Sequence, residues 1–410
     1  MGTAGTGQHM TESRRWTIVG LLTFGMMMAF LDRATLSVAL ASADFKTYFN
    51  LTDTGRGLLN SAFFWTYALL QIPVGVLVDR WGSVRTYSWG YTLWSVAAGA
   101  MAFARSLPQL VGLRLLLGVG ESPVTPASLR WIGKNLPEEK RGLAVGLLFA
   151  GAKLGPAFGS FVAAWILATA GWRWMFVVTG VGGLLWLLPW RLLAVESASG
   201  GAVQGRAAEP LMKFLRMPLM WGIMIGTFAY NYFQYFCLTW LPAYFVERRG
   251  LELKSMGWYT MFSFGGMAIV ATAAGWWADR MIKAGADPAV IRLRFTLAGL
   301  AVASTELIGA YSESHAIALG FAVVSLSGLG LATANYWALT QTLLPGSSIG
   351  RVAGLQNFAS NLSGIVAPVL TGWLKERTGS YDAPMLAVAL VLTAGFFAYL
   401  FLVKRPEPAT

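Results

Sequence analysis

The sequence is poor in the residues that carry most soluble chemistry. It has one cysteine, Cys237, and two histidines, His9 and His315. A single thiol excludes an internal disulfide and a cysteine-based metal site. Two distant histidines form no ligand cluster, so neither a metal nor a cofactor is expected. Charge is scarce as well. Asp, Glu, Lys and Arg make up 12% of 410 residues, about half of the roughly 25% usual in soluble proteins. That leaves too little polar surface to cover a soluble fold. An ordinary soluble enzyme, a disordered chain and a secreted disulfide scaffold are all excluded. Acidic residues are the scarcer sign, 19 against 31 basic ones, for a net charge of +12. A basic surplus suits nucleic acid, but membrane proteins also concentrate Lys and Arg in cytoplasmic loops. The placement of the cations therefore matters more than their sum, and no nucleic-acid partner is expected.

What is abundant is apolar. Hydrophobic residues make up 56% of the chain, and the mean hydropathy is +0.56. A membrane span takes about 20 residues, and twelve long apolar runs can be counted. They lie near 16–41, 57–78, 86–104, 108–132, 142–168, 173–194, 218–246, 256–278, 293–311, 315–343, 351–374 and 384–403. Gly and Pro interrupt many of them, which a bundle tolerates because neighbouring helices re-satisfy the freed backbone groups. If the N-terminus is cytoplasmic, the inside segments hold 19 Lys and Arg and the outside segments 9. This bias predicts an even number of spans with both termini inside. Residues 1–9 read as an appended scar ahead of a native start at Met10. No cleavable signal is evident, because the run that begins at Trp16 is already of full span length. One long polar stretch, 196–217, divides the rest into halves of six runs, 10–195 and 218–410. The expected fold is an all-α membrane protein with twelve transmembrane helices in two six-helix halves.

An internal repeat supports the division. Gly75-Val-Leu-Val-Asp79-Arg80 closes the second run, and Gly275-Trp-Trp-Ala-Asp279-Arg280 closes the eighth, 200 residues later. The stretch Gly75 to Arg85 resembles the loop signature of the major facilitator superfamily. Arg114-Leu-Leu-Leu-Gly118-Val-Gly120 is similar to its second signature. Further residues resemble the anion:cation symporter family within it, which includes bacterial sugar-acid/proton symporters and vesicular glutamate and sialic-acid carriers. These are Asp32-Arg33-Ala-Thr-Leu-Ser37, Phe63 to Pro73, Gly118-Val-Gly120-Glu121-Ser-Pro123 and Thr239-Trp240-Leu241-Pro242. The resemblance covers nearly the whole chain; its motifs specify the family much more than the substrate.

Six ionisable residues lie well inside the runs, away from their ends: Asp32, Arg33, Arg114, Glu121, Lys153 and Glu306. Each costs about 2.5–3.5 kcal/mol at a helix centre on the insertion scale, so an intramembrane charge is a candidate functional group. Arg114 and Glu121 are two turns apart on one helix face, about 10.5 Å along the axis. Asp32 and Arg33 are adjacent and point about 100° apart, so they form no simple pair. A planar guanidinium grips a carboxylate with two parallel bonds. By resemblance, Arg33 is the clamp for the substrate anion, Glu121 the proton-coupling carboxylate tuned by Arg114, and Asp32 a second protonation site. Static ion pairing within the bundle is the plainer reading of all four. Lys153, set among glycines, adds attraction for a second negative group or else neutralises Glu121 or Asp32. Glu306, late in its run, reads as a structural residue near the outer interface.

The C-terminal half offers neutral groups instead. Tyr230, Gln234, Trp337, Asn357 and Asn361 are expected ligand contacts, as are Asn60 and Tyr67 of the second run. Trp337 and Asn357 take this role from the resemblance, and an interhelical hydrogen bond is the plainer reading of the Asn357 and Asn361 pair. Asp79, Arg80, Arg85, Asp279 and Arg280 are assigned to a cytoplasmic gate. The chain reads Ala29-Phe30-Leu31 before Asp32-Arg33, where family members often carry an Asn and a Tyr. This departure leaves room for a less hydroxylated anion than a sugar acid.

The expected function is proton-coupled symport of a small organic anion, a carboxylate such as a sugar acid. The expected partners are that anion, protons and the lipid bilayer. The protein is expected to be a monomer in the bacterial inner membrane. An organic-anion exchanger and an organophosphate/phosphate antiporter stay open, as does a non-transporting membrane sensor. No nucleotide loop, histidine cluster or nucleophile motif points to an enzyme.

Overall fold

The computed structural model describes residues 10–195, 211–344 and 349–404. The scar at 1–9 and linker residues 196–210 lie outside the described residues. The described residues are helical with short turns. The first half comprises α1 (Glu12–Ala41), α2 (Ala43–Tyr48), α3 (Asp53–Trp81), α4 (Ser83–Ala100), α5 (Leu107–Glu121), α6 (Val124–Asn135), α7 (Glu138–Phe176) and α8 (Leu187–Leu193). The second comprises α9 (Leu211–Leu215), α10 (Pro218–Glu247), α11 (Leu253–Lys283), α12 (Pro288–Ala303), α13 (Glu306–Tyr311), α14 (His315–Leu343), α15 (Ile349–Thr378) and α16 (Asp382–Leu402).

Each expected apolar run falls on helix. The fourth is shared by α5 and α6 across Pro123, and the ninth by α12 and α13. The fifth and sixth are joined through α7, which kinks at Gly171 (φ +82°), a conformation that glycine adopts without strain. Six helical stretches among the described residues are long and apolar enough to cross a bilayer by length and composition, and Lys140–Leu193, with 54 residues, covers two of the expected runs. The tyrosines, Asn231 and Gln234 of α10 are buried.

Glycines bring the helices of the first half close together. A Cβ on Gly151 of α7 would lie 2.3 Å from the Thr23 carbonyl oxygen of α1, and one on Gly155 would lie 2.5 Å from that of Met27. Small residues allow this backbone approach in membrane bundles. Gly118 does the same for α5, where a Cβ would meet the Phe63 carbonyl oxygen of α3 at 2.4 Å. These contacts hold Asp32, Arg33, Arg114 and Glu121 in one buried interior.

The two halves meet tightly at the end away from the chain termini. There Gly57 of α3 faces the Pro368 backbone of α15, and Gly372 faces Asp53. Ion pairs join the halves at this end. Glu247 accepts from Lys46 at 2.6 Å and from Arg56 at 3.0 Å, and Lys375 donates to Asp53 at 2.7 Å. Lys375 also reaches Glu247 at 3.1 Å, and the Tyr381 hydroxyl donates to it at 2.8 Å. The Thr54 backbone N–H donates to Glu376 at 2.7 Å. At the terminus-proximal end, no ion pair among the described residues crosses between the halves. Asp79 pairs with Arg130 inside the first half, and Asp279 with Arg292 inside the second.

Candidate functional site

Arg33 and Glu121 meet in the centre of the first half, 5% and 0% exposed. Both Nε and Nη2 of Arg33 reach the same oxygen, Glu121 Oε2, at 2.7 Å. Oε1 of Glu121 has no partner. Aromatic rings enclose the guanidinium, with centroids of Phe30, Phe63 and Tyr67 at 4.3, 4.4 and 4.8 Å. A desolvated cation gains from such ring faces. The sequence expectation has Arg114 tune Glu121 and Arg33 clamp the ligand. In the structure Arg33 is the direct contact, because it enters from α1 whereas Arg114 lies two turns down α5. Arg114 is buried over the Phe63 ring at 5.3 Å, with Nε and Nη1 unpaired. Asp32 accepts from the Trp94 indole at 3.1 Å through Oδ2, and its Oδ1 is unpaired. Trp94 was not singled out from sequence, where it is one of 18 tryptophans.

Lys153 leaves the first half and donates to Gln234 of α10 at 3.2 Å. Its ammonium lies 5.9 Å from the Tyr230 ring centroid. It forms no ion pair with Glu121 or Asp32, so the neutralising role weighed from sequence is not what the structure records. Tyr230 bonds Thr333 at 2.7 Å and packs on Tyr336 at 4.6 Å. Tyr67 stacks on Phe63 at 5.1 Å. Asn60 is buried with both amide atoms unpaired. Arg33, Glu121, Tyr67, Lys153, Gln234 and Tyr230 thus fall along the facing helices α1, α3, α5, α7 and α10.

Three expected contacts lie apart from this cluster. Trp337 packs on Tyr336, at 5.6 Å between rings. Asn361 donates to the Asn357 carbonyl of its own helix at 3.0 Å. That corrects the interhelical bond considered from sequence: a side chain four residues on reaches its own backbone more readily than a neighbouring helix. The side chain of Asn357 is exposed.

The two copies of the repeat occupy equivalent places but take different partners. Arg130 of α6 holds Asp79 at 3.1 Å, and Arg292 of α12 holds Asp279 at 3.5 Å. Arg280 lies over Trp276 at 5.4 Å, and Arg80 is exposed. Arg85 lies 5.4 Å from the Trp81 ring. Glu306 is buried, 3% exposed, and accepts from Ser325 at 2.5 Å.

Sequence reasoning also missed the charge network between the halves. Lys46, Arg56 and Lys375 entered it only as loop cations; the three-residue spacing of Asp53 and Arg56 was the available signal. Glu247 lies just beyond the seventh apolar run. Burial pushes its carboxyl up, but Arg56, Lys46 and Lys375 outweigh that and hold it at about 2. Among the described residues, no group of three or more His, Cys, Asp or Glu could hold a metal ion.

Helical halves that surround buried charges and are tied at one end define a multi-pass integral membrane protein of the transporter kind. The model of the Major Facilitator Superfamily matches residues 22–368, and the chain belongs to that superfamily of transporters, which are not enzymes. The chain is 32% identical to a D-galactonate transporter of Escherichia coli O6:H1, over 95% of this chain and 96% of that one. It is 31% identical to a probable sulfoacetate transporter of Cupriavidus necator, over 95% and 94%. It is 29% identical to a hexuronate transporter of Bacillus subtilis, over 97% and 96%. These relatives agree with the anion:cation symporter resemblance. A solved bacterial homologue of the human lysosomal transporter Spinster, inward-facing and occupied, shares the fold with a TM-score of 0.82 at 18% identity, covering 97% of this chain and all of that one. A D-xylose–proton symporter does so with a TM-score of 0.76 at 17% identity, over 96% and 98%.

Proposed function

We propose that this protein is a proton-coupled symporter of a small organic anion, a carboxylate such as a sugar acid. It works as a monomer in a bacterial inner membrane, with both termini cytoplasmic. The relatives named for galactonate, hexuronate and sulfoacetate support the substrate class. The observation that carries the coupling is the double contact of Arg33 with one oxygen of Glu121. The fork that suits a substrate carboxylate is occupied by the carboxylate that takes the proton. Protonation removes Glu121 as a charged acceptor and frees the guanidinium for the substrate. Loss of that proton restores the internal pair and expels the anion. Asp32 serves as a second carrier, steadied by Trp94, and the free N–H groups of Arg114 keep the interior attractive to anions. Asn60, Tyr67, Tyr230, Gln234, Trp337, Asn357 and Asn361 supply neutral contacts.

In this reading the closed end faces outward, and the described conformation opens to the cytoplasm. Asp79, Arg80 and Arg85, with Asp279 and Arg280, belong to the opposite gate. Organophosphate exchange by an arginine from each half finds little support. Arg249 of the second half is buried, but it already donates to Tyr244, Gly309 and Ser312 at the far end.

The test is Glu121→Gln, which mimics a permanently protonated side chain. In proteoliposomes it should keep exchange of labelled for unlabelled substrate and lose uptake driven by a pH gradient. Normal gradient-driven accumulation by the variant would exclude Glu121 as an obligatory proton carrier. A wild type that exchanges but never accumulates against a pH gradient would make the protein an exchanger.

A further inference from the structure

Outside the central site, two arginines face a cavity of about 340 Å³ on the seam between α4 and α8. It is lined by Arg85, Ser88, Trp89, Thr92 and Arg191. The first four recur at helical spacing along one face of α4, and Arg191 comes from the last turn of α8. The Trp190 indole donates to Ser88 at 3.0 Å and pins the two helices together. The volume lies near the lower end of the roughly 300–1,000 Å³ of ligand pockets.

Neither arginine has a carboxylate partner among the described residues; Arg85 contacts only the Trp81 ring. Two like charges beside one cavity make an anion between them favourable. Ser88 and Thr92 already donate to the Val84 and Ser88 carbonyls at 2.8 Å, so the guanidiniums must provide recognition. The surroundings are apolar: Trp89 lines the cavity, Trp81 lies beside Arg85, Leu188 and Leu192 flank Arg191 on α8, and all four are exposed. In a chain that spans a bilayer, such side chains meet acyl chains and the headgroup boundary.

We propose that this cavity binds the phosphate of an anionic phospholipid in the leaflet on the terminus side. Two guanidiniums match phosphate oxygens with charge-assisted, forked bonds, and basic pockets between membrane helices suit acidic headgroups. A free phosphate would satisfy the arginines equally well. The apolar surroundings favour the lipid, because they add contacts that only acyl chains make.

The experiment uses the full-length protein in detergent and measures lipid retention by native mass spectrometry. Wild type should retain phosphatidylglycerol in preference to phosphatidylcholine. Arg85→Gln with Arg191→Gln should lose that preference by on the order of tenfold, while the paired Arg→Lys variant should keep part of it. Thermal unfolding of each variant checks folding, and the exposed single change Arg191→Gln is the fallback, with a loss of about fivefold. Equal retention of both lipids by wild type would overturn the proposal, as would undiminished retention by a folded Gln variant. Displacement of the lipid by inorganic phosphate at equal concentration would overturn the lipid as the source of the phosphate.

Discussion

Arg33 is held by rings on several sides and by one carboxylate oxygen, so its planar shape matters as much as its charge. Arg33→Lys keeps the charge but loses the fork. Substrate affinity in detergent should fall by about tenfold to a hundredfold, the value of a lost hydrogen bond to a charged group. Wild-type affinity in folded Arg33→Lys protein would remove Arg33 from the clamp role. Lys153 faces an amide and a ring and has no carboxylate partner among the described residues, so its charge is available to a ligand. Lys153→Gln should weaken dianions at least about tenfold more than monoanions. Equal losses for both classes, read by titration calorimetry, would show that Lys153 does not read ligand charge. The identity of these residues was legible in the sequence, because a charge in an apolar run stands out. Their pairing was not: Arg33 and Glu121 are 88 positions apart, and no local pattern selects that contact over Arg114 with Glu121.

Helices in this protein are placed by what they lack at the contact. On α7, Gly155 has no room for a methyl group against α1, whereas Gly146 has nothing within 4 Å. Gly155→Ala should therefore destabilise the protein by about 1–3 kcal/mol, the cost of overpacking. Gly146→Ala should be neutral or slightly stabilising, as expected for alanine in a helix. Thermal unfolding in one detergent compares the two directly, and equal melting temperatures would show that the α1–α7 contact is looser than described. The same contact fixes Asp32 and Arg33 beside the interior, so Gly155→Ala should also raise the apparent Kd. Helix existence and approximate ends were legible from the apolar runs. The kink at Gly171 and the passage of α5 into α6 at Pro123 depended on packing, since glycine and proline also occur inside unbroken helices here.

At the scale of the whole molecule, Glu247 is the hub that ties the two halves at one end. Its carboxyl is depressed to about 2, so its contribution is complete above the ordinary carboxylate value. That contribution disappears only as pH falls through about 2. The Glu247 tie should therefore be insensitive to pH between roughly 5 and 8, so a pH response of conformation in that window comes from other groups. Glu247→Gln leaves Lys46, Arg56 and Lys375 facing one another with Asp53 alone between them. It should open this end by on the order of 1–2 kcal/mol, between the surface and buried limits for ion pairs. Spin labels at Asp44→Cys and Thr378→Cys, in a Cys237→Ser background, report the separation of the halves. An unchanged distance distribution in Glu247→Gln would show that apolar contacts alone hold the closure.

Composition and run spacing alone determined that the chain is a multi-span membrane protein in two halves, because a bilayer demands apolar length and puts cations on one side. The signatures around Asp79 and Gly118 pointed to the superfamily, and the buried charges marked the candidate site. Only the tertiary structure decided which charges touch, which end is closed and where unpaired arginines gather. Those outcomes depend on helices brought together from distant parts of the chain, as with Lys46 and Glu247, or Arg85 and Arg191. A charge in a run announces its cost locally, but its partner is selected by three-dimensional packing.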